Sequence, residues 1–426
     1  MPAVRASGVY KIFGKRAHQA ARDLAEGVPD EQIRASGVTP AVIDATFAVE
    51  PGEIFVVMGL SGSGKSTLIR TLNGLLIPTA GTVEIDGTDI TAMSASELRA
   101  MRQRRVSMVF QHFALFPHRT VLDNAAYGLE VQGVPTGERR ERAQQALDMV
   151  GLTGWEDKLP GQLSGGMRQR VGLARALAAE TDILLMDEAF SALDPLIRRD
   201  MQTQLLELQQ RLGKTIVFIT HDLNEAMRIG DRIAMMRSGR IVQIGTAAEI
   251  LESPADDYVA QFTSDVDRSR VLTASSVMSE PRAVVTADSA PQAALRTMQD
   301  GDTGAAFVLG PDRRLAGAVL ADAISDAVKT KATTLDGLID TEVARVGPGT
   351  VLAELAAPAA ASSLPLAVVD HDQLVGVIPR TALLTAFGGG TDPDGRPDSH
   401  HTNGGTADDA AASATGTDAE GNDDEA

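Results

Sequence analysis

The sequence predicts an α/β chain: a phosphate-gripping strand–loop–helix unit with a mostly helical subdomain, then a smaller α+β unit of two similar halves, then an acidic tail. Three observations predict it. The apolar run Ile54–Met58 leads straight into the glycine loop Gly59-Leu60-Ser61-Gly62-Ser63-Gly64-Lys65-Ser66-Thr67, and Leu68–Leu72 then reads as a helix. Two further apolar runs, Ile183–Met186 and Thr215–Ile219, read as strands. From Val271 onward one pattern of strand, helix, strand, turn and strand occurs twice, about 60 residues apart.

The order of strand, glycine loop and helix is what phosphate binding requires. Glycines let backbone N–H groups turn inward around phosphate oxygens, and the helix N-terminus adds positive dipole. Lys65 reaches toward the β- and γ-phosphates, and the Ser66 hydroxyl can ligand Mg²⁺. Gly59, Ser61, Gly62, Ser63, Gly64, Lys65, Ser66 and Thr67 are therefore candidate nucleotide-binding residues.

Downstream residues narrow the reading. Leu163-Ser164-Gly165-Gly166-Met167 precedes a helical stretch, Arg168–Ala178. Ile183–Met186 ends in the pair Asp187-Glu188, followed by Ser191-Ala192-Leu193-Asp194. His221 follows the strand Thr215–Ile219, and Gln111 follows the strand Val106–Phe110. In this order the set resembles the nucleotide-binding subunit of ATP-binding-cassette (ABC) transporters, over residues 1–265.

The resemblance implies roles for each residue. Asp187 is expected to hold Mg²⁺ with Ser66 and Gln111, and Glu188 to polarise the attacking water. His221 is expected to contact the γ-phosphate. Ser164, Gly165 and Gly166 open a helix, and the resemblance implies that they close over the ATP of a second subunit, with Asp194 near the contact. The cofactors so implied are ATP and Mg²⁺, and the assembly is a homodimer. One departure is Met167, where many members have Gln; Gln169 stands two places later. Phe13 is the expected adenine-stacking aromatic, with Tyr10 the competitor.

Residues 15–40 interrupt the first sheet with two short helical stretches, Gln19–Glu26 and Asp30–Ser36, the second started by Pro29-Asp30-Glu31. This insertion is similar to that of ATPase subunits of glycine betaine/proline-type osmoprotectant importers. Gly52–Gly64, Val109–His118 and Asp187–Arg198 agree with it, through about Phe262. The mostly helical subdomain is expected between Gln111 and Leu163, with Glu138–Val150 as a helix. In the family a groove beside this subdomain accepts a short helix of the membrane permease, and the apolar loop Phe113–His118 is expected to help form it.

The paired pattern from Val271 comprises Val284–Thr286, a helix Ala290–Met298, Ala305–Leu309, a turn at Gly310-Pro311-Asp312 and Leu315–Val319. Its second copy comprises Arg345-Val346, a helix Val351–Ala356, Leu366–Val369, a turn at Asp370-His371-Asp372 and Leu374–Ile378. Neither half can bury its sheet alone, so the two are expected to pack together. The pair resembles tandem cystathionine-β-synthase-type (CBS) domains, over 272–387. Both halves depart from the ribose-gripping pattern of nucleotide-binding members. Leu320 and Ala323 follow Gly317-Ala318-Val319, with Asp322 one residue off, and Pro379 and Ala382 follow Gly376-Val377-Ile378. A regulatory or dimer-forming role without an adenosyl ligand is the expectation.

Composition bounds the rest. The 426 residues have room for two or three cores, and there is no cysteine for a disulfide, a thiolate metal site or a thiol nucleophile. No run has the roughly 18 uninterrupted apolar residues of a membrane span, and Met1–Ser7 lacks the apolar core of a signal peptide. The net charge of −18 argues against nucleic acid as a partner. Half of it lies in 391–426, where ten acids face one base, Arg396, and the expected disordered tail spans 388–426. Its His400-His401 pair reads as solvated tail rather than metal ligands.

The leading expectation is thus a peripheral ATPase on the cytoplasmic face of the membrane. It would power a separate permease fed by an external solute-binding protein, under osmotic regulation through screened charge. An importer ATPase for another solute, such as an amino acid or polyamine, is the alternative. A soluble cassette ATPase acting on DNA or ribosomes lacks its usual twin cassette, coiled coil or basic arms here.

Overall fold

The computed structural model describes residues 1–388 except 112, 265, 311 and 312. The expected tail beyond Gly388, with His400-His401, lies outside the described residues, as do Pro311 and Asp312 of one expected turn.

The chain forms strands β1 (Val4–Phe13), β2 (Thr39–Val49), β3 (Ile54–Met58), β4 (Ala80–Ile85) and β5 (Thr88–Asp89). It continues through β6 (Val106–Val109), β7 (Ile183–Asp187), β8 (Thr215–Thr220), β9 (Arg232–Arg237) and β10 (Arg240–Gly245). Four of these make an antiparallel sheet in the order β2-β1-β4-β5. The other six make a sheet ordered β10-β9-β3-β8-β7-β6, parallel except at β10.

Every residue of β3, β7 and β8 is buried, which is why these strands read as unbroken apolar runs. Side chains alternate between two cores. Phe55 and Val57 face the helix Lys65–Leu72 and the antiparallel sheet, where Phe47 and Phe55 stack at 5.0 Å. Ile54, Val56 and Met58 face the other core, shared with the helices Val121–Ala125, Thr136–Met149 and Gly165–Ala178 of the helical subdomain. Because β3, β6, β7 and β8 are parallel, their carboxyl ends open onto one edge, where ligands of such sheets bind.

The insertion forms helices Ala17–Ala25 and Asp30–Ala35. They cover β1 and β2 through a small core of Tyr10, Ile12, Ala20, Leu24, Ile33 and Ile43. An ion pair of 2.9 Å between Arg240 and Asp30 fastens the second helix to β10.

Beyond the six-stranded sheet, helices Ala247–Glu252 and Asp257–Thr263 lead to the paired unit. Its strands are β11 (Val284–Thr286), β12 (Ala305–Leu309) and β13 (Leu315–Leu320), then β14 (Arg345–Val346), β15 (Leu366–Asp370) and β16 (Gln373–Ile378). Both triplets have the same topology, a parallel pair followed by an antiparallel one. The halves exchange edges: Ser279, ahead of the first, bridges Val377 on β16, and Asp340, ahead of the second, bridges Ala318 on β13. A shared core including Phe307, Leu315, Ala367 and Val377 lies between the halves. The first half keeps a core of its own around Val285, Ala294, Ile324 and Leu335. The core of the second, with Leu352, Leu355, Leu366 and Ile378, is continuous with that of the six-stranded sheet through Val259, Val266 and Leu272.

Each half also closes with a helix, Ala321–Lys329 and Arg380–Gly388. The second-half helix runs Leu352–Ala361, past the expected end at Ala356 and through Pro358. Arg380 explains the extension: its guanidinium donates to the carbonyls of Ala359, at 3.0 Å, and of Ala360 and Ser362, so the terminal acceptors are satisfied.

Candidate nucleotide-binding site

The glycine loop leaves the carboxyl end of β3 and turns into the helix Lys65–Leu72. Gly59 has φ +151° and Gly64 φ +104°. A Cβ on Gly59 would overlap the Met236 carbonyl, and one on Gly64 the Ala41 carbonyl, so the loop is wedged between β9 and β2 where only glycine fits. Ser63 is buried and its hydroxyl has no partner among the described residues. The Lys65 ammonium folds back to donate to the carbonyls of Gly59, at 2.9 Å, and Leu60, at 3.1 Å. Burial lowers its pKa, while Glu188 and Asp187 act in the opposite sense.

Two carboxylates stand opposite. Asp187 ends β7, and its Oδ1 accepts from the Ser66 hydroxyl at 2.9 Å. Arg70 lies 3.7 Å from its Oδ2. Burial raises the Asp187 pKa, against the Ser66 bond and Arg70. Glu188 adopts φ +46°, a left-handed conformation that carries a steric cost for a residue with a side chain and recurs at functional sites. Its N–H is held by the Ile219 carbonyl at 3.0 Å. The Glu188 carboxylate gathers three expected residues: Gln111 donates to Oε2 at 3.2 Å, His221 Nδ1 lies 3.3 Å from Oε2, and Lys65 lies 3.9 Å from Oε1. The ends of β3, β6, β7 and β8 thus deliver Lys65, Gln111, Asp187, Glu188 and His221 to one place.

Ser164 caps the helix Gly165–Ala178, accepting the Met167 N–H at 3.3 Å. Among the described residues no hydrogen bond or ion pair joins Ser164, Gly165 or Gly166 to the loop 59–67, and Ser164 is exposed. A Cβ on Gly166 would stand 2.6 Å from Ile197 Cγ2, so glycine lets this helix end approach the helix Pro195–Leu212. Asp194 caps that second helix through the Ile197 N–H at 3.1 Å, and Leu196 beside it is 71% exposed. Two arginines that motif reading passes over brace these parts. Arg70 reaches Asp187, and Arg198 pairs with Asp222 at 3.1 Å while donating to the carbonyls of Ser191 and Leu193. Phe13 is 43% exposed at the end of β1, whereas Tyr10 is 9% exposed and packs into the insertion core, so exposure favours Phe13 for stacking.

A cavity of about 490 Å³ separates the ATPase sheet from the helical subdomain. Its apolar lining includes Met108, Phe110, Phe116, Tyr127, Val131 and Ala176. Of the expected loop Phe113–His118, Ala114 and Phe116 reach the lining.

Comparison with known proteins agrees with this geometry. A family model described as "ABC transporter" matches residues 42–191. The glycine betaine/carnitine transport ATP-binding protein GbuA of Listeria monocytogenes is 49% identical, covering 91% of this chain and 98% of its own. The glycine betaine/proline betaine transport system ATP-binding protein ProV of Escherichia coli is 49% identical, over 89% of this chain and 96% of its own. The trimethylamine N-oxide transport system ATP-binding protein TmoW of Ruegeria pomeroyi is 50% identical over a shorter span, 64% of this chain and 80% of its own. The chain belongs to the ABC transporter family, among the ATP-binding proteins of glycine betaine transport systems.

Proposed function

We propose that this chain hydrolyses ATP to drive import of a quaternary-amine osmoprotectant such as glycine betaine through a separate permease. The observation that carries the reading is the 49% identity to glycine betaine transport ATP-binding proteins along nearly their whole length. That match covers 91% and 89% of this chain, against 64% for the trimethylamine N-oxide relative. A C-terminal pair of CBS-like domains at 272–387, after an ATPase domain at 1–265, belongs to the same reading, as does osmotic regulation through that pair.

The residues divide the work as follows. Loop N–H groups and Lys65 bind the β- and γ-phosphates of ATP, and Lys65 leaves its present carbonyl partners to do so. Phe13 stacks on the adenine. The oxygens of Ser66, Gln111 and Asp187 are the hard donors that Mg²⁺ takes, and Ser66 and Asp187 already touch. Mg²⁺ bound there would neutralise charge on the phosphate oxygens. Glu188 holds the attacking water and accepts its proton, Gln111 orients that water, and His221 contacts the γ-phosphate.

Ser164, Gly165 and Gly166, which make no hydrogen bond or ion pair to their own loop among the described residues, serve the ATP of a second copy. In the Glu188→Gln background, Mg-ATP should convert monomer to dimer, and adding Ser164→Arg should leave it monomeric by light scattering. A monomer in the parent background at saturating Mg-ATP would remove the shared-site arrangement.

We assign the cavity at the helical subdomain as the permease dock and the chain as a peripheral subunit on the cytoplasmic membrane face, a reading supported by the relatives being transport ATP-binding proteins. Among the described residues no helix is long and apolar enough to cross a membrane. The decisive experiment is reconstitution with a permease of the glycine betaine transport type, in anionic vesicles across a salt series. ATP-dependent uptake of glycine betaine, rising with salt, is expected. Uptake of an amino acid or polyamine with none of glycine betaine would transfer the assignment to the alternative solutes.

A further inference from the structure

The loop after Gln111 holds two consecutive non-glycine residues in the left-handed region, Phe113 at φ +51° and Ala114 at φ +48°. Such a pair does not persist without outside support. The hydrogen bonds that support it come from Arg175 on the helix Gly165–Ala178. The Arg175 guanidinium donates to the Ala114 carbonyl at 2.6 Å and to the Phe113 carbonyl at 3.2 Å. Two turns nearer the helix start, Arg168 lies over the Phe113 ring at 5.2 Å. Gly172, between them, brings the helix backbone close to the Phe113 carbonyl. Arg175 also lines the cavity at the helical subdomain, as do Phe110 and Ala114, which flank Gln111 in the chain.

We propose that Arg175 is a positioning residue for hydrolysis: by gripping the two carbonyls it fixes the turn at Phe113–Ala114 and so holds Gln111 against Glu188. This rests on the assignment of Gln111 and Glu188 as hydrolytic residues. A planar fork with several donors suits two adjacent carbonyls; a lysine ammonium grips only as a point charge.

The test is steady-state ATPase kinetics on the full chain. Arg175→Met should lower kcat about tenfold or more with KM for ATP within about twofold, because misplacement of a catalytic group by an ångström is worth up to about 10² in rate. Arg175→Lys should fall between. Adding Ala114→Gly to Arg175→Met should restore several-fold in kcat, since glycine takes the left-handed conformation without a clamp. The same glycine in the otherwise unaltered chain should give no such gain. Should Arg175→Met fail to fold, Arg175→Lys with and without Ala114→Gly makes the same comparison. A kcat unaltered in Arg175→Met, or no gain from the glycine, would overturn the proposal and leave Arg175 a packing residue. Failure of the underlying assignment shows separately, as Glu188→Gln hydrolysing at the parent rate.

Discussion

Replacing Glu188 by glutamine is expected to lower ATP turnover at least ~10²-fold while ATP binding persists. The amide keeps the size of the carboxylate and can still meet Gln111 and His221, which lie 3.2 and 3.3 Å from Oε2. It cannot take a proton from water. Single-turnover hydrolysis by rapid quench, beside equilibrium binding of a fluorescent ATP analogue, separates the two effects. Binding lost together with turnover would mean that the Lys65–Glu188 pair at 3.9 Å serves to shape the loop rather than to act on water.

Gly64→Ala is expected to weaken ATP binding by about two orders of magnitude. The left-handed backbone, φ +104°, costs about 1–2 kcal/mol with a Cβ present, and overlap with the Ala41 carbonyl adds about 1–3 kcal/mol. Together some 3 kcal/mol corresponds to about 10² in Kd if the loop moves to make room. Gly62→Ala provides the contrast. Gly62 also has positive φ, +80°, but open space surrounds its Cβ position, so it should weaken binding by about tenfold or less. Calorimetric titration of both variants decides. Equal effects would mean that backbone conformation alone, and not the wedge against β2, sets the demand for glycine.

Much of this arrangement could be read from residues in a row. Buried parallel strands show as unbroken apolar runs, so β3, β7 and β8 were legible within a residue or so. Gly165 and Gly166 lower helix propensity, yet the helix Gly165–Ala178 takes them in, because the Ser164 cap and the approach to Ile197 decide the matter. Ala321–Lys329 carries no cap residue to mark it, and Arg380–Gly388 is marked only by Pro379 before it and the glycines at its end; both fold because each covers one side of a three-stranded sheet. In the site, residues within a motif were legible and residues acting across it were not. Arg70, Arg175 and Arg198 are recognised only by the carbonyls and carboxylates they meet, from segments as much as 117 residues away. The left-handed turn at Glu188 likewise follows from a bond to Ile219 on the neighbouring strand, which no local pattern announces.

The continuity of the second half's core with that of the ATPase sheet has a thermodynamic consequence. Leu352, Leu355, Leu366 and Ile378 share one apolar body with Val259, Val266 and the strands that carry the loop. The second half therefore unfolds as part of the ATPase, whereas the first, with its private core, can open by itself at lower free energy. Cutting the chain after Val271 strips the cover from Val259 and Val266 and creates an adhesive surface. If the proposed osmotic regulation holds, a signal from the first half would reach the catalytic end through a stiff intermediary, and lesions confined to the first half, rather than wholesale truncation, test it cleanly.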